Sequence, residues 1–324
     1  MSKIILLCCD ANEHDDIWFK TLQKRLQAHH VLHQYESVLY DVKKPLDIEP
    51  LDDIEFVALN AAPPQGLLAG LTKLRAMISL WAGVDHIVCE PDFPVHIPLY
   101  RMVEDGLVQG MIQYCIGHVM HYHLLSDIHQ KLQKDKIWET ISPPLISDRK
   151  VGIMGLGVLG LAVGEALQKL GFKIYGWSRS AKTHPAIQCF EGQNNLALFL
   201  SHCEILILLL PKSKQTKHII NAHTLNLMPK DSAIINAGRG HLIDEKALIH
   251  ALQNKHIRGA TLDVFDHEPL PKDHAFWDID QLRITPHIAS ITRPKTGVER
   301  IIEVMDHTLQ NKALSQCYNH TLGY

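Results

Sequence analysis

Short apolar runs alternate with amphipathic stretches along the first hundred residues of this chain. KIILLC (3–8), IEFVAL (54–59) and AMISL (76–80) predict strands, whereas DDIWFKTLQKRLQA (15–28) repeats its apolar residues at helical spacing. Together they describe a small α/β unit. PDFPVHIPLYR (91–101) carries three prolines and an extended rhythm, which predicts a crossing into a second domain nearby. From Leu107 to Leu132 apolar side chains return every three or four positions without a proline, the pattern of one long helix. So much apolar surface points to cover by a second subunit.

Beyond ISPPLISD (141–148) the alternation becomes regular. KVGIMG predicts a strand, a glycine turn leads into the helical VLGLAVGEALQKLG, and KIYGW (173–177) predicts the next strand. CEILILLL (203–210), SAIINA (232–237), GATLDVF (259–265) and LRITP (282–286) follow, separated by helical stretches such as DEKALIHALQNK (244–255). Strands apolar on both faces, in strict alternation with helices, imply a doubly wound parallel sheet.

Composition narrows the function classes. The 324 residues are 46% hydrophobic and 21% charged, enough for two domains with their own cores. A net charge of -3 from 32 basic and 35 acidic groups offers no field for a nucleic acid or an anionic membrane. The apolar run in MSKIILLCCD is too short for a signal peptide or a membrane span. Seven scattered cysteines without a CxxC pair read as buried free thiols in a reducing cytosol, and no metal site is expected.

The turn after KVGIM reads Gly155-Leu156-Gly157-Val158-Leu159-Gly160. Between a strand and a helix this spacing is a dinucleotide fingerprint: the first glycine permits the turn, the second admits a pyrophosphate, the third lets helix and strand pack. The helix N-terminus then faces the phosphates. About twenty residues on, where an acidic residue would receive both ribose hydroxyls, stand Ser178, Arg179 and Ser180, with Lys182 close behind. Hydroxyls and a guanidinium suit a phosphate dianion, so the expected cofactor is NADPH rather than NADH.

Ligands of an open parallel sheet lie beyond the carboxyl ends of its strands. Three polar residues stand there: Arg239 between two glycines in NAGRG, Glu268 in LDVFDHEPLP, and His287 in ITPHIA. Flexible glycine backbone would let the Arg239 guanidinium point into a cleft. An arginine, a glutamate and a histidine at strand ends can bind an anion, orient a proton donor and protonate an oxygen.

GLGVLG, NAGRG, LDVFDHEPLP and ITPHIA, in this order, resemble the D-isomer-specific 2-hydroxyacid dehydrogenase family. LWAGVDHI (80–87), PLYRMVEDGLVQGMIQY (98–114), HEPLPKDHAFW, TPHIASITRP and the terminal LGY are similar to its glyoxylate/hydroxypyruvate reductase A branch. The resemblance implies two Rossmann-like domains: a doubly wound, parallel-sheet coenzyme domain over 99–287, with a dimerisation helix near 105–133, and a smaller flavodoxin-like substrate domain over 1–98 plus 288–324. It implies that Arg239 binds the substrate carboxylate and polarises the keto oxygen, that His287 is the general acid, and that Glu268 orients the imidazole. Asp263 would lie near the nicotinamide amide, and the backbone of Ala82, Gly83 and Val84 would receive the substrate carboxylate. Leu210 and Pro211, with Ala237 and Gly238, would line the cofactor from neighbouring strand ends. Cleft closure would expel water.

The implied function is reduction of glyoxylate or hydroxypyruvate to glycolate or D-glycerate with NADPH, in a cytoplasmic homodimer. One departure stands out: LNAAPP (59–64) has small residues where related reductases carry a tryptophan-containing segment, which leaves pocket size open. The alternatives are another activity of the family, on a larger 2-keto acid or phosphite, or a dimeric dinucleotide-sensing binding protein.

Overall fold

The structure is a computed structural model that describes residues 3–10, 13–45 and 51–320, the side chains of residues 13 and 14 excepted. The terminal LGY lies outside the described residues. The chain forms two compact units, Met1–Leu107 with Ile291–Tyr324, and Val108–Ser290.

In the first unit the strands are β1 (Lys3–Cys9), β2 (Tyr35–Asp41), β3 (Ile54–Leu59), β4 (Ala76–Ser79) and β5 (Leu99–Tyr100). They form a sheet in the order β2-β1-β3-β4-β5 with every pair parallel. This is the flavodoxin-like order. Alternate residues of β1 serve two cores, which is why the strand is apolar from Ile4 to Cys9. Ile5 and Leu7 pack with Trp18, Leu22 and Leu26, and with Val298, Ile301 and Met305 of the helix Pro294–Leu309. Leu6 and Cys8 pack on the other face with Leu68, Met77 and Ile87. β5 was not expected: the stretch read as a domain crossing extends this sheet, and the unit continues to Leu107.

The second unit holds β6 (Lys150–Met154), β7 (Lys173–Ser178), β8 (Gln188–Glu191), β9 (Ile205–Leu208), β10 (Ser232–Asn236), β11 (Ile257–Leu262) and β12 (Leu282–Ile284). The order is β12-β11-β10-β9-β6-β7-β8, again all parallel. Strand order reverses between β6 and β9, the crevice position of a dinucleotide-binding sheet. One face packs Ile153, Ile207 and Ile235 under Met111, Cys115 and Val119. On the other face Met154, Leu206 and Ile234 lie under Leu225, Leu248 and Leu252.

The single helix expected over 107–132 is two, Asp105–His123 and Ser126–Lys134. Leu125 between them takes a left-handed φ of 56°. The Tyr122 carbonyl accepts from Arg258 Nη2 at 2.9 Å, and Arg258 Nε pairs at 2.9 Å with Asp127 in the first turn of the second helix. An arginine distant in sequence thus claims a helical carbonyl at the break, while the apolar period continues through it. The cysteine reading also needs correction: Cys8, Cys9, Cys115 and Cys203 are buried, but Cys89 and Cys317 are exposed.

Candidate active site

β6 runs into the glycine turn, and the helix Val158–Lys169 follows it. Gly155 has a φ of +108°, which residues with a side chain rarely adopt. Its N–H donates to the Trp177 carbonyl at 2.8 Å, tying the turn to β7. A Cβ on Gly160 would stand 1.9 Å from the Gly155 carbonyl oxygen, so only glycine lets the helix lie so close. Gly157 differs, because a Cβ there would meet nothing within 4 Å. It faces open space where the first helical N–H groups emerge unpaired, the setting that receives a pyrophosphate. The residues present therefore fit a dinucleotide. Val158 is exposed at this edge and Leu159 half-buried, whereas Leu156 belongs to the core, where it meets Gly176 of β7.

β7 ends at Ser178, whose side chain is buried and donates to the Ser180 carbonyl at 2.7 Å. Its proton is thus committed to the turn that it begins. Arg179, Ser180 and Lys182 are exposed. Leu210 and Pro211 follow β9, the neighbour of β6, and Ala237 and Gly238 follow β10, the strand beyond it. The side chains of Leu210 and Ala237 are buried.

Arg239, Glu268 and His287 follow β10, β11 and β12, three adjacent strands of this unit. His287 Nδ1 lies 2.7 Å from Glu268 Oε2, and Glu268 Oε1 accepts the Phe265 N–H at 2.8 Å. The imidazole is 53% exposed, so its remaining face is open to a ligand. His287 sits at a φ of +53°, a left-handed conformation unusual for a residue with a side chain. Asp263 holds it there. The buried Asp263 carboxylate accepts the N–H groups of Ile288 and Ala289, each at 2.8 Å, and the Thr285 hydroxyl at 2.5 Å. The Asp263 carbonyl accepts the His287 N–H at 2.9 Å. Tyr114 extends this network, its hydroxyl 2.7 Å from Thr285 Oγ1.

The glycines around Arg239 act otherwise than expected. Neither Gly238 nor Gly240 has a positive φ. A Cβ on Gly240 would lie 2.0 Å from the Phe265 carbonyl carbon, and one on Gly238 3.0 Å from the Leu210 carbonyl oxygen. They permit close backbone packing against the Glu268 segment and the β9 loop, and confer no looseness. Arg239 is extended and half-buried, with Nη1 donating to the Gly238 carbonyl at 2.7 Å.

In the first unit, Ala82, Gly83 and Val84 form the turn between β4 and the one-turn helix Asp85–Val88, at a carboxyl strand end. Ala82 and Gly83 are half-buried and Val84 is buried. Sequence reasoning missed Asn236, Thr285 and Tyr114. The one available signal was an asparagine closing the otherwise apolar strand SAIIN directly before the arginine loop.

The pattern of the family described as D-isomer specific 2-hydroxyacid dehydrogenase, NAD binding domain, matches residues 117–289, more than half of the chain. Glyoxylate/hydroxypyruvate reductase A of Enterobacter sp. (strain 638) is 39% identical over 272 residues, covering 82% of this chain and 87% of that one. The crystal structure of a D-isomer specific 2-hydroxyacid dehydrogenase from Xanthobacter autotrophicus Py2, in complex with NADPH and MES, superposes with a TM-score of 0.93 at 30% identity and covers 100% of both chains. An NADPH-dependent glyoxylate/hydroxypyruvate reductase from Sinorhizobium meliloti, in complex with NADP and sulfate, gives a TM-score of 0.87 at 26% identity, again over 100% of both. On the family match and the 39% identity, the chain belongs to the D-isomer specific 2-hydroxyacid dehydrogenase family.

Proposed function

We propose that this protein reduces small 2-keto acids, glyoxylate and hydroxypyruvate, to 2-hydroxy acids with NADPH. The observation that carries the reading is the His287–Glu268 pair at 2.7 Å, one strand end removed from the Arg239 loop in a dinucleotide-type unit. Solved relatives that hold NADPH or NADP support the cofactor, as do the exposed Arg179, Ser180 and Lys182.

The turn shaped by Gly155 and Gly160 would receive the pyrophosphate at Gly157, and Arg179 with its neighbours would hold the 2′-phosphate. When bound, the cofactor supplies a hydride to C2 of the keto acid. Arg239 binds the substrate carboxylate and draws electron density toward the keto oxygen. Glu268 holds Nδ1 of His287, which leaves Nε2 to deliver its proton to that oxygen. Hydride and proton together convert the carbonyl to a hydroxyl.

In this reading Val108–Ser290 is the coenzyme unit and the other unit the substrate domain. The working form is a homodimer, supported by the exposed Leu124, Ile137, Leu145 and Trp138, the last 99% exposed. Among the described residues no helix is long and apolar enough to cross a membrane. The exposed thiols of Cys89 and Cys317 suit a reducing compartment, the cytoplasm.

NADPH absorbance followed over a panel of 2-keto acids is the direct test. Turnover with glyoxylate or hydroxypyruvate is expected. Tight NADPH binding without turnover on any member would instead indicate a dinucleotide-sensing protein.

A further inference from the structure

Asn236 is the last residue of β10, and its side chain is 1% exposed. Its Nδ2 donates to the Arg239 carbonyl at 2.9 Å, and its Oδ1 accepts the Gly238 N–H at 3.1 Å. One carboxamide thus satisfies a donor and an acceptor of the loop that follows it, folding residues 237–239 back onto the strand end. Its backbone makes a separate tie: the Asn236 carbonyl accepts the Asp263 N–H at 3.0 Å. Asp263 in turn holds the His287 loop. The side chain therefore serves the arginine, and the main chain braces the residue that serves the histidine.

We propose that Asn236 is the positioning residue of Arg239, holding its guanidinium where it meets the substrate carboxylate; this rests on the role proposed for Arg239. No other side chain fits the task. Aspartate lacks the donor, alanine lacks both groups, serine is too short to span the loop, and glutamine is a methylene too long for a buried site. A small displacement of a substrate-binding group is costly, because misplacement by about 1 Å lowers rates on the order of 100-fold.

The test compares Asn236→Ala and Asn236→Asp with the parent enzyme. Both should raise the KM for glyoxylate and hydroxypyruvate about 10- to 100-fold. The Kd for NADPH, from fluorescence titration without keto acid, should rise by a clearly smaller factor than KM, because the loop tie leaves the glycine turn intact and reaches the cofactor only through Gly238. Asn236→Asp sets two acceptors against each other at the Arg239 carbonyl. Its defect should therefore shrink as pH falls from about 8 to about 5.5, where a buried carboxyl regains a proton to donate.

Double-mutant cycles add a readout that general destabilisation would not produce. In an Arg239→Ala background Asn236→Ala should cost little more, whereas in a Glu268→Gln background its effect should multiply in full. Full multiplication with Arg239→Ala, a parallel loss of NADPH affinity, or an unchanged KM in both variants would overturn the proposal. If Asn236→Ala does not fold, the pH rescue of the near-isosteric Asp variant decides. Should Arg239→Ala itself leave KM unchanged, the function assigned to Arg239 fails. If Arg239→Ala raises KM and the Asn236 variants do not, only the positioning role fails.

Discussion

The Glu268 carboxylate grips His287 through one oxygen, Oε2 to Nδ1 at 2.7 Å, and is itself anchored through the other, Oε1 to the Phe265 N–H at 2.8 Å. With Nδ1 committed, the proton to be delivered resides on Nε2. His287→Ala should lower kcat about 10²- to 10⁴-fold, the range of general acid catalysis, with NADPH binding retained. Glu268→Gln should cost less, since the amide keeps a hydrogen bond but loses its charge. Steady-state kinetics beside fluorescence titration checks both; near-parental kcat in His287→Ala would remove the histidine from the mechanism.

The three glycines of the turn should separate folding from binding. At Gly160 an added Cβ meets the Gly155 carbonyl oxygen at 1.9 Å, so Gly160→Ala should destabilise by about 3 kcal/mol, the upper range of overpacking. In thermal unfolding that is a Tm fall of roughly 5 to 10 °C. Gly157→Ala has open space around it and an ordinary φ of -80°, so its Tm should hold. Its methyl should instead occupy the approach of the pyrophosphate and weaken the dinucleotide Kd. A stable Gly157→Ala that binds as tightly as the parent would mean that the pyrophosphate lies elsewhere.

Arg179 is exposed at the end of β7, while the Ser178 hydroxyl stays in its own turn. Cofactor choice should therefore follow the guanidinium. Arg179→Ala should raise the KM for NADPH on the order of 10-fold, as expected for a lost charge-assisted hydrogen bond, and leave NADH nearly unchanged. Comparing the two cofactors in parent and variant measures this, and equal effects on both would exclude the 2′-phosphate contact.

His118 supplies an acid-sensitive element. Burial pushes its pKa down to about 4, with help from the nearby Arg283 and His121 and partial opposition from Asp263. Between about 6.5 and 4 the unfolded chain takes up a proton that the folded protein refuses, so stability is lost as pH falls through this window. The ring is only partly buried, so the loss is discounted to about 1 to 2 kcal/mol. His118→Gln should flatten the fall in Tm between pH 7 and pH 5 relative to the parent. Parallel Tm profiles would show that His118 is not the group responsible.

The central strands were legible because a strand buried on both faces is mostly apolar: Ile54–Leu59 matched the run read from the chain, as did Ser232–Asn236 to within a residue. Tyr35–Asp41 and Gln188–Glu191 were missed because both are edge strands. One side of an edge strand is paired and the other meets solvent, so their partly exposed residues break the apolar run. The helix break at Leu125 was invisible for another reason: Arg258, which takes the Tyr122 carbonyl, is 136 residues away.

By itself the sequence determined the alternation of strand and helix, the glycine turn at β6, and the arginine, glutamate and histidine at strand ends, because each depends on local period and residue chemistry. Only the tertiary structure decided how those residues are held. Arg239 owes its loop to the Asn236 amide and to glycines that serve close packing, and His287 owes its left-handed backbone to a buried aspartate just past the end of the neighbouring strand. The Asn236 amide reaches only two and three residues along the chain from a buried strand end. The Asp263 hydrogen bonds and the approach of Gly240 to Phe265 instead join positions about 25 residues apart, which become neighbours only once parallel strands bring their carboxyl ends together.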